Sequence, residues 1–83
     1  MATRLYVGNL PYSITEQELH EMFSQIGEIA RVDVITDKFT GRAKGFAFVE
    51  MESVAAANTA TEKFNGQNLQ GKTMKVNEAK PRD

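Results

Sequence analysis

Phe46 and Phe48 stand two residues apart in Lys44-Gly45-Phe46-Ala47-Phe48-Val49-Glu50-Met51, and Tyr6 sits in a second short apolar run, Leu5-Tyr6-Val7-Gly8. On a strand, side chains two residues apart project to one face about 7 Å from each other. Rings at that spacing can stack on flat groups, and splayed nucleotide bases are such groups. Stacking is worth roughly 1–3 kcal/mol per base and tolerates any base, because each has a π-face. Catalytic chemistry has less material. His20 is the only histidine; it falls beside Glu16, Glu18 and Glu21 and reads as an exposed helix residue. One histidine and no cysteine cannot supply the three or four protein ligands of a zinc site. The absence of cysteine also excludes disulfides. Gly8, Gly41 and Gly45 lack the spacing of a phosphate-cradling loop. Neither an enzyme nor a cofactor or metal is expected.

The elements that would position the rings can be read in order. Arg4 to Gly8 reads as a strand, and Asn9 to Ser13, with Pro11, as a loop. Thr15 and Glu18 have the spacing of a capping box, in which each side chain satisfies a backbone N–H at a helix start. Leu19, Met22, Phe23 and Ile26 follow at helical spacing. Gly27 is expected to end that helix in the left-handed conformation. Ile29 to Thr36 reads as a strand with Val32 and Val34 on one side and Arg31, Asp33 and Ile35 on the other. A polar loop, Asp37 to Ala43, leads to a third strand, Lys44 to Met51. Ser53 caps a second helix running to about Phe64, with Ala57, Ala60 and Phe64 as its stripe. Its Asn58, Thr59 and Thr61 are weak helix formers, so packing must support it. Asn65-Gly66 closes it, Gly71 marks a turn, and Lys72 to Glu78 reads as a final strand with Met74 and Val76 inward.

The order strand, helix, strand, strand, helix, strand predicts an α+β, ferredoxin-like βαββαβ sandwich. Both helices would cover one face of a four-stranded antiparallel sheet. If Val7, Ala47 and Val49 face the helices, Tyr6, Phe46 and Phe48 share the face that no helix covers. Exposed ring surface of that size marks an interaction site. The opposite parity would bury the rings and turn Ala47 and Val49 to water.

Composition narrows the class. The 83 residues allow one small domain, 41% hydrophobic and 25% charged, as in ordinary folded proteins. No stretch is long or apolar enough to cross a bilayer. Met1-Ala2-Thr3-Arg4 lacks the apolar run of a signal peptide. The simplest expectation is an intracellular, cytoplasmic protein, or in a eukaryote one of the nucleus or an organelle, monomeric and without a membrane partner. Net charge is −1, so bulk electrostatics is not the main hold on a nucleic acid. Acidic residues crowd the first helix, while Arg4, Arg31, Lys38, Arg42, Lys44, Lys72, Lys75, Lys80 and Arg82 lie in or beside strands and their loops. A solvated face is the plain reading of such a pattern.

Lys44 to Met51 resembles the octapeptide ribonucleoprotein motif of the RNA recognition motif family, departing only at Met51, where Phe or Tyr is usual. Leu5 to Leu10 resembles the family's hexapeptide. The resemblance runs from about Thr3 to Ala79, leaving a short basic tail, residues 80–83. It extends to short single-domain RNA-binding proteins of cyanobacteria and to the corresponding domain of plant glycine-rich RNA-binding proteins. It implies a partner in single-stranded RNA, with single-stranded DNA bound less well. It assigns Tyr6, Phe46 and Phe48 to base and sugar stacking and Lys44 to a phosphate. Asn77, Ala79 and Lys80 fall where the family reads base edges; Asp33, Glu50 and Lys75 would share the exposed face. Asn9 follows the hexapeptide glycine, where binding and loop stabilisation are both open. Arg42 and Lys38 could close over RNA or simply be solvated. A peptide-binding use of the same fold is the alternative. It typically goes with loss of the motif aromatics and an Arg-any-Phe element, whereas this loop reads Gly66-Gln67-Asn68-Leu69.

Overall fold

The computed structural model describes residues 3–41 and 43–79; the side chains of Ala43 and Lys44 lie outside that description. The elements are β1 (Arg4–Gly8), α1 (Glu16–Ser24), β2 (Ile29–Thr36), β3 (Ala43–Met51), α2 (Val54–Phe64), β4 (Asn68–Leu69), β5 (Lys72–Thr73) and β6 (Lys75–Glu78). Both helices start at hydroxyl caps. The Glu18 backbone N–H donates to Thr15 Oγ1 (3.1 Å), and the Thr15 hydroxyl donates to the Glu18 carboxylate (3.3 Å). The Ala56 N–H donates to Ser53 Oγ (3.1 Å). Thr59 and Thr61 donate their hydroxyls to the carbonyls of Ala55 and Ala57 (3.0 and 2.9 Å), which satisfies two polar groups that would otherwise compete with the helix.

β1, β2, β3 and β6 form one antiparallel sheet in the order β2-β3-β1-β6. Its inward residues Leu5, Val7, Val32, Ala47, Val49, Met51 and Val76 are buried against Leu19 and Phe23 of α1 and Ala57, Ala60 and Phe64 of α2. The Phe23 and Phe64 rings meet at 4.7 Å between centroids. The ferredoxin-like arrangement follows, with both helices on one face. Among the described residues no polar or charged side chain is buried, and no helix is long and apolar enough to cross a membrane.

Two local features differ from the sequence expectation, and a third, in β2, is one the alternation did not address. α1 stops at Ser24, capped by a right-handed Gln25, and Gly27 is not left-handed. Gly27 is small because α2 passes over it: a Cβ there would stand 2.8 Å from the Ala56 Cβ. The final strand is broken at Met74. Its carbonyl accepts from the Gly66 N–H (2.7 Å) and its N–H donates to the Gln67 carbonyl (2.8 Å), so the exit of α2 takes both bonds that a continuous strand would use. β5 therefore pairs with β4 in a separate ribbon, turned by Gln70 and Gly71 at positive φ, while β6 joins the main sheet. In β2 the register slips between Ile29 and Arg31, so Ile29 packs on the core despite sharing the parity of outward Arg31.

Candidate nucleic-acid interface

β1 and β3 lie side by side with Tyr6 opposite Phe48. Leu5, Val7, Ala47 and Val49 take the inward parity and are almost wholly buried. Tyr6, Phe46 and Phe48 take the outward one and are half-buried. Ring centroids lie 5.9 Å apart for Tyr6–Phe46 (stacked, 28° between planes) and 5.9 Å for Tyr6–Phe48 (edge-on, 65°). Phe46 and Phe48 meet edge-on at 6.2 Å. Offset and edge-to-face pairs are the favoured aromatic geometries, so the rings brace one another before any ligand arrives. The parity that would have buried them is not the one adopted.

Two glycines aim this cluster. A Cβ on Gly8 would stand 2.7 Å from the Tyr6 ring, which lies back over the Gly8 backbone. Gly45 holds φ +94°, a conformation L side chains rarely adopt. It lies where the β2–β3 register shifts, between the Val34–Ala47 and Thr36–Ala43 pairs. Its carbonyl accepts from the Leu10 N–H (2.8 Å), anchoring the start of β3 to the β1–α1 loop.

Polar groups rim the rings. The Arg4 guanidinium lies over Phe48 at 4.2 Å from the centroid. Asp33, opposite Phe48 in register, accepts from Arg31 Nε at 2.9 Å. Glu50 is flanked in register by Arg4 and Arg31. On the other side of β1, exposed Asn77 and Lys75 stand opposite Tyr6 and Gly8. The Ala79 N–H donates to the Arg4 carbonyl (2.8 Å) and prolongs that ladder. Asn9, at φ 57°, donates its side-chain amide to the Thr73 carbonyl (2.7 Å) and ties β1 to β5. Among the described residues no cluster of three His, Cys, Asp or Glu could hold a metal.

The family profile described as the RNA recognition motif matches residues 5–75. The chain belongs to the RNA recognition motif family. A protein of Nostoc sp. strain PCC 7120 that bears the RNA-binding name RbpE is 48% identical over 79 residues, covering 95% of this chain and 80% of that one. A crystal structure of RNA binding protein PG1 superposes with a TM-score of 0.93 at 41% identity, covering 99% of each chain. The structure of the Rna15 RNA recognition motif with bound RNA (GU) superposes at 0.90 with 28% identity, covering 100% of this chain and 88% of that one.

In this RNA recognition motif the sheet gathers Tyr6, Phe46, Phe48, Asp33, Glu50, Lys75 and Asn77 on one face. Lys38 is exposed in the β2–β3 turn. Arg42, the Lys44 side chain and Lys80 fall outside the described residues. Two exposed aromatics escaped sequence reasoning. Tyr12 is 62% exposed in the β1–α1 loop, and Phe39 is 99% exposed in the turn that follows β2. Neither lies in an alternating or helical pattern, so periodicity gave no reason to single them out.

Proposed function

We propose that the uncovered sheet face binds about two to four nucleotides of single-stranded RNA, with bases on Tyr6 and Phe48 and sugars against Phe46. The observation that carries this reading is the mutual packing of the three rings on the face without helices. Lys44 fixes a phosphate in this reading, with Arg42, Lys75 and Lys80 around it, while Asn77 and Ala79 meet base edges. Asn9 contributes by holding the loop beside the platform. Asp33 and Glu50 accept hydrogen bonds from base amino groups, their charge offset by Arg31 and Arg4. The protein acts as a binding module rather than an enzyme. In support, the site is an open sheet face, and no ionisable side chain among the described residues is withdrawn from water.

Two or three stacks supply about 3–7 kcal/mol against an association cost of several kcal/mol. Affinity for a short RNA is therefore on the order of micromolar. Single-stranded DNA binds less well where 2′-hydroxyls are contacted. Fluorescence anisotropy with a labelled single-stranded RNA tests the reading. Phe48→Ala should weaken binding by about tenfold or more while the thermal melt stays close to that of the parent. An unaltered affinity would remove the stacking mechanism.

A further inference from the structure

We propose that Tyr12 and Lys72 form an additional nucleotide position at the end of the central strands, one that extends the RNA path off the three-ring platform. This rests on the RNA-binding reading. Tyr12 is a large ring left 62% exposed, yet its loop is tightly held. Leu10, Pro11 and Ile14 around it are buried. The Leu10 N–H is bonded to Gly45, the Ile14 N–H donates to the Pro11 carbonyl (3.1 Å), and the Ser13 hydroxyl donates to Gln70 Oε1 (3.3 Å). A ring carried on a backbone held in this way has only its own side-chain torsions left to order on binding, which lowers the entropic cost of a stack.

Tyr12 stands at the strand end where β3 enters the platform. Tyr12 Cε1 lies 3.9 Å from the point a Cβ on Gly45 would occupy, and Gly45 immediately precedes Phe46. The Lys72 ammonium lies over the Tyr12 ring, 5.2 Å from the centroid. A ring for a base beside a cation for a phosphate is the pairing that single-strand binding surfaces use. Charge along the strands points the same way. The sheet end that carries Tyr12 also carries Lys38, Lys72 and Lys75, with Asp37 engaged by the Phe39 N–H. The opposite end carries Glu28, Glu50, Glu52 and Glu78, with Arg4 and Arg31 committed to Phe48 and Asp33. A polyanion leaving the platform is repelled at the glutamate end and drawn toward Tyr12.

Random-sequence single-stranded RNAs of about four and about eight nucleotides separate this site from the platform. Tyr12→Ser should lose about fivefold or more in affinity for the longer RNA and little for the shorter, while Tyr12→Phe keeps both. Lys72→Gln should weaken the longer complex and make its salt dependence shallower by about one phosphate contact. The chain has two tyrosines and no tryptophan, so in a Tyr6→Phe protein the tyrosine emission comes from Tyr12 alone. The longer RNA should quench that emission. Loss of affinity equal at both lengths, no loss at either, or unquenched emission in the bound complex would overturn the proposal. If the parent binds neither RNA, or Phe48→Ala binds as the parent does, the underlying RNA reading fails instead and takes this site with it.

Discussion

At Phe48 two ligands compete for one ring face. The Arg4 guanidinium over it is worth about 0.5–1 kcal/mol at an exposed site, whereas a stacked base is worth about 1–3 kcal/mol. In the proposed complex the base outweighs that contact, and Arg4 turns to Glu50, its neighbour in register. Tyr6 depends on a neighbour with no side chain. Gly8→Ala would place a methyl 2.7 Å from the ring, and the ring, being the flexible partner, moves. Anisotropy should then show about a fivefold loss of RNA affinity, the equivalent of one weakened stack, with the melt nearly unchanged. An undiminished affinity would mean that the Tyr6 orientation does not matter. The three rings were legible in the sequence because alternation fixes parity once the inward aliphatics are recognised. Gly8 as a support for Tyr6 was not, since the contact depends on a side-chain torsion that residue order does not encode. Tyr12 was missed for a related reason: its exposure is decided by the buried Leu10, Pro11 and Ile14 around it.

Among the elements, the turn that follows α1 meets α2 at a point that tolerates no extra atom. Gly27→Ala sets two methyl carbons 2.8 Å apart, an overpacking that costs about 1–3 kcal/mol. In a domain of this size each kcal/mol lowers Tm by roughly 4–8 °C. Ala56→Gly in the same chain should recover part of that loss, and a double-mutant cycle by thermal melting reads the coupling. Purely additive losses would mean that the two residues do not touch. Ser53→Ala removes the α2 cap and should cost about 1 kcal/mol, visible in the same melts. The caps were readable because Thr15 and Ser53 act on backbone within three residues. Gly27 was misread as a helix terminator because its real partner, Ala56, is distant in sequence. The break at Met74 was invisible for the same reason, since it arises from bonds to Gly66 and Gln67.

Across the whole molecule, a net charge of −1 conceals a separation of lysines toward one end of the strands and glutamates toward the other. In the proposed complex, binding is led by rings rather than by bulk charge. With about two or three phosphate contacts, log affinity should fall with log salt at a slope of about −1.4 to −2. A much steeper slope would mean that electrostatics leads. The layered fold was legible from element order, because two apolar helix stripes require one sheet face and leave the other uncovered. The charge separation needed the antiparallel register, which places Lys75 beside Gly8 and Glu78 beside Leu5. The most direct test is an NMR titration with single-stranded RNA that records contacts between aromatic side-chain protons and the nucleic acid. Cross-relaxation from the Tyr6, Phe46 and Phe48 rings to base and ribose protons is the expected result. RNA bound with contacts confined to α1 and α2, and those three rings unperturbed, would contradict it.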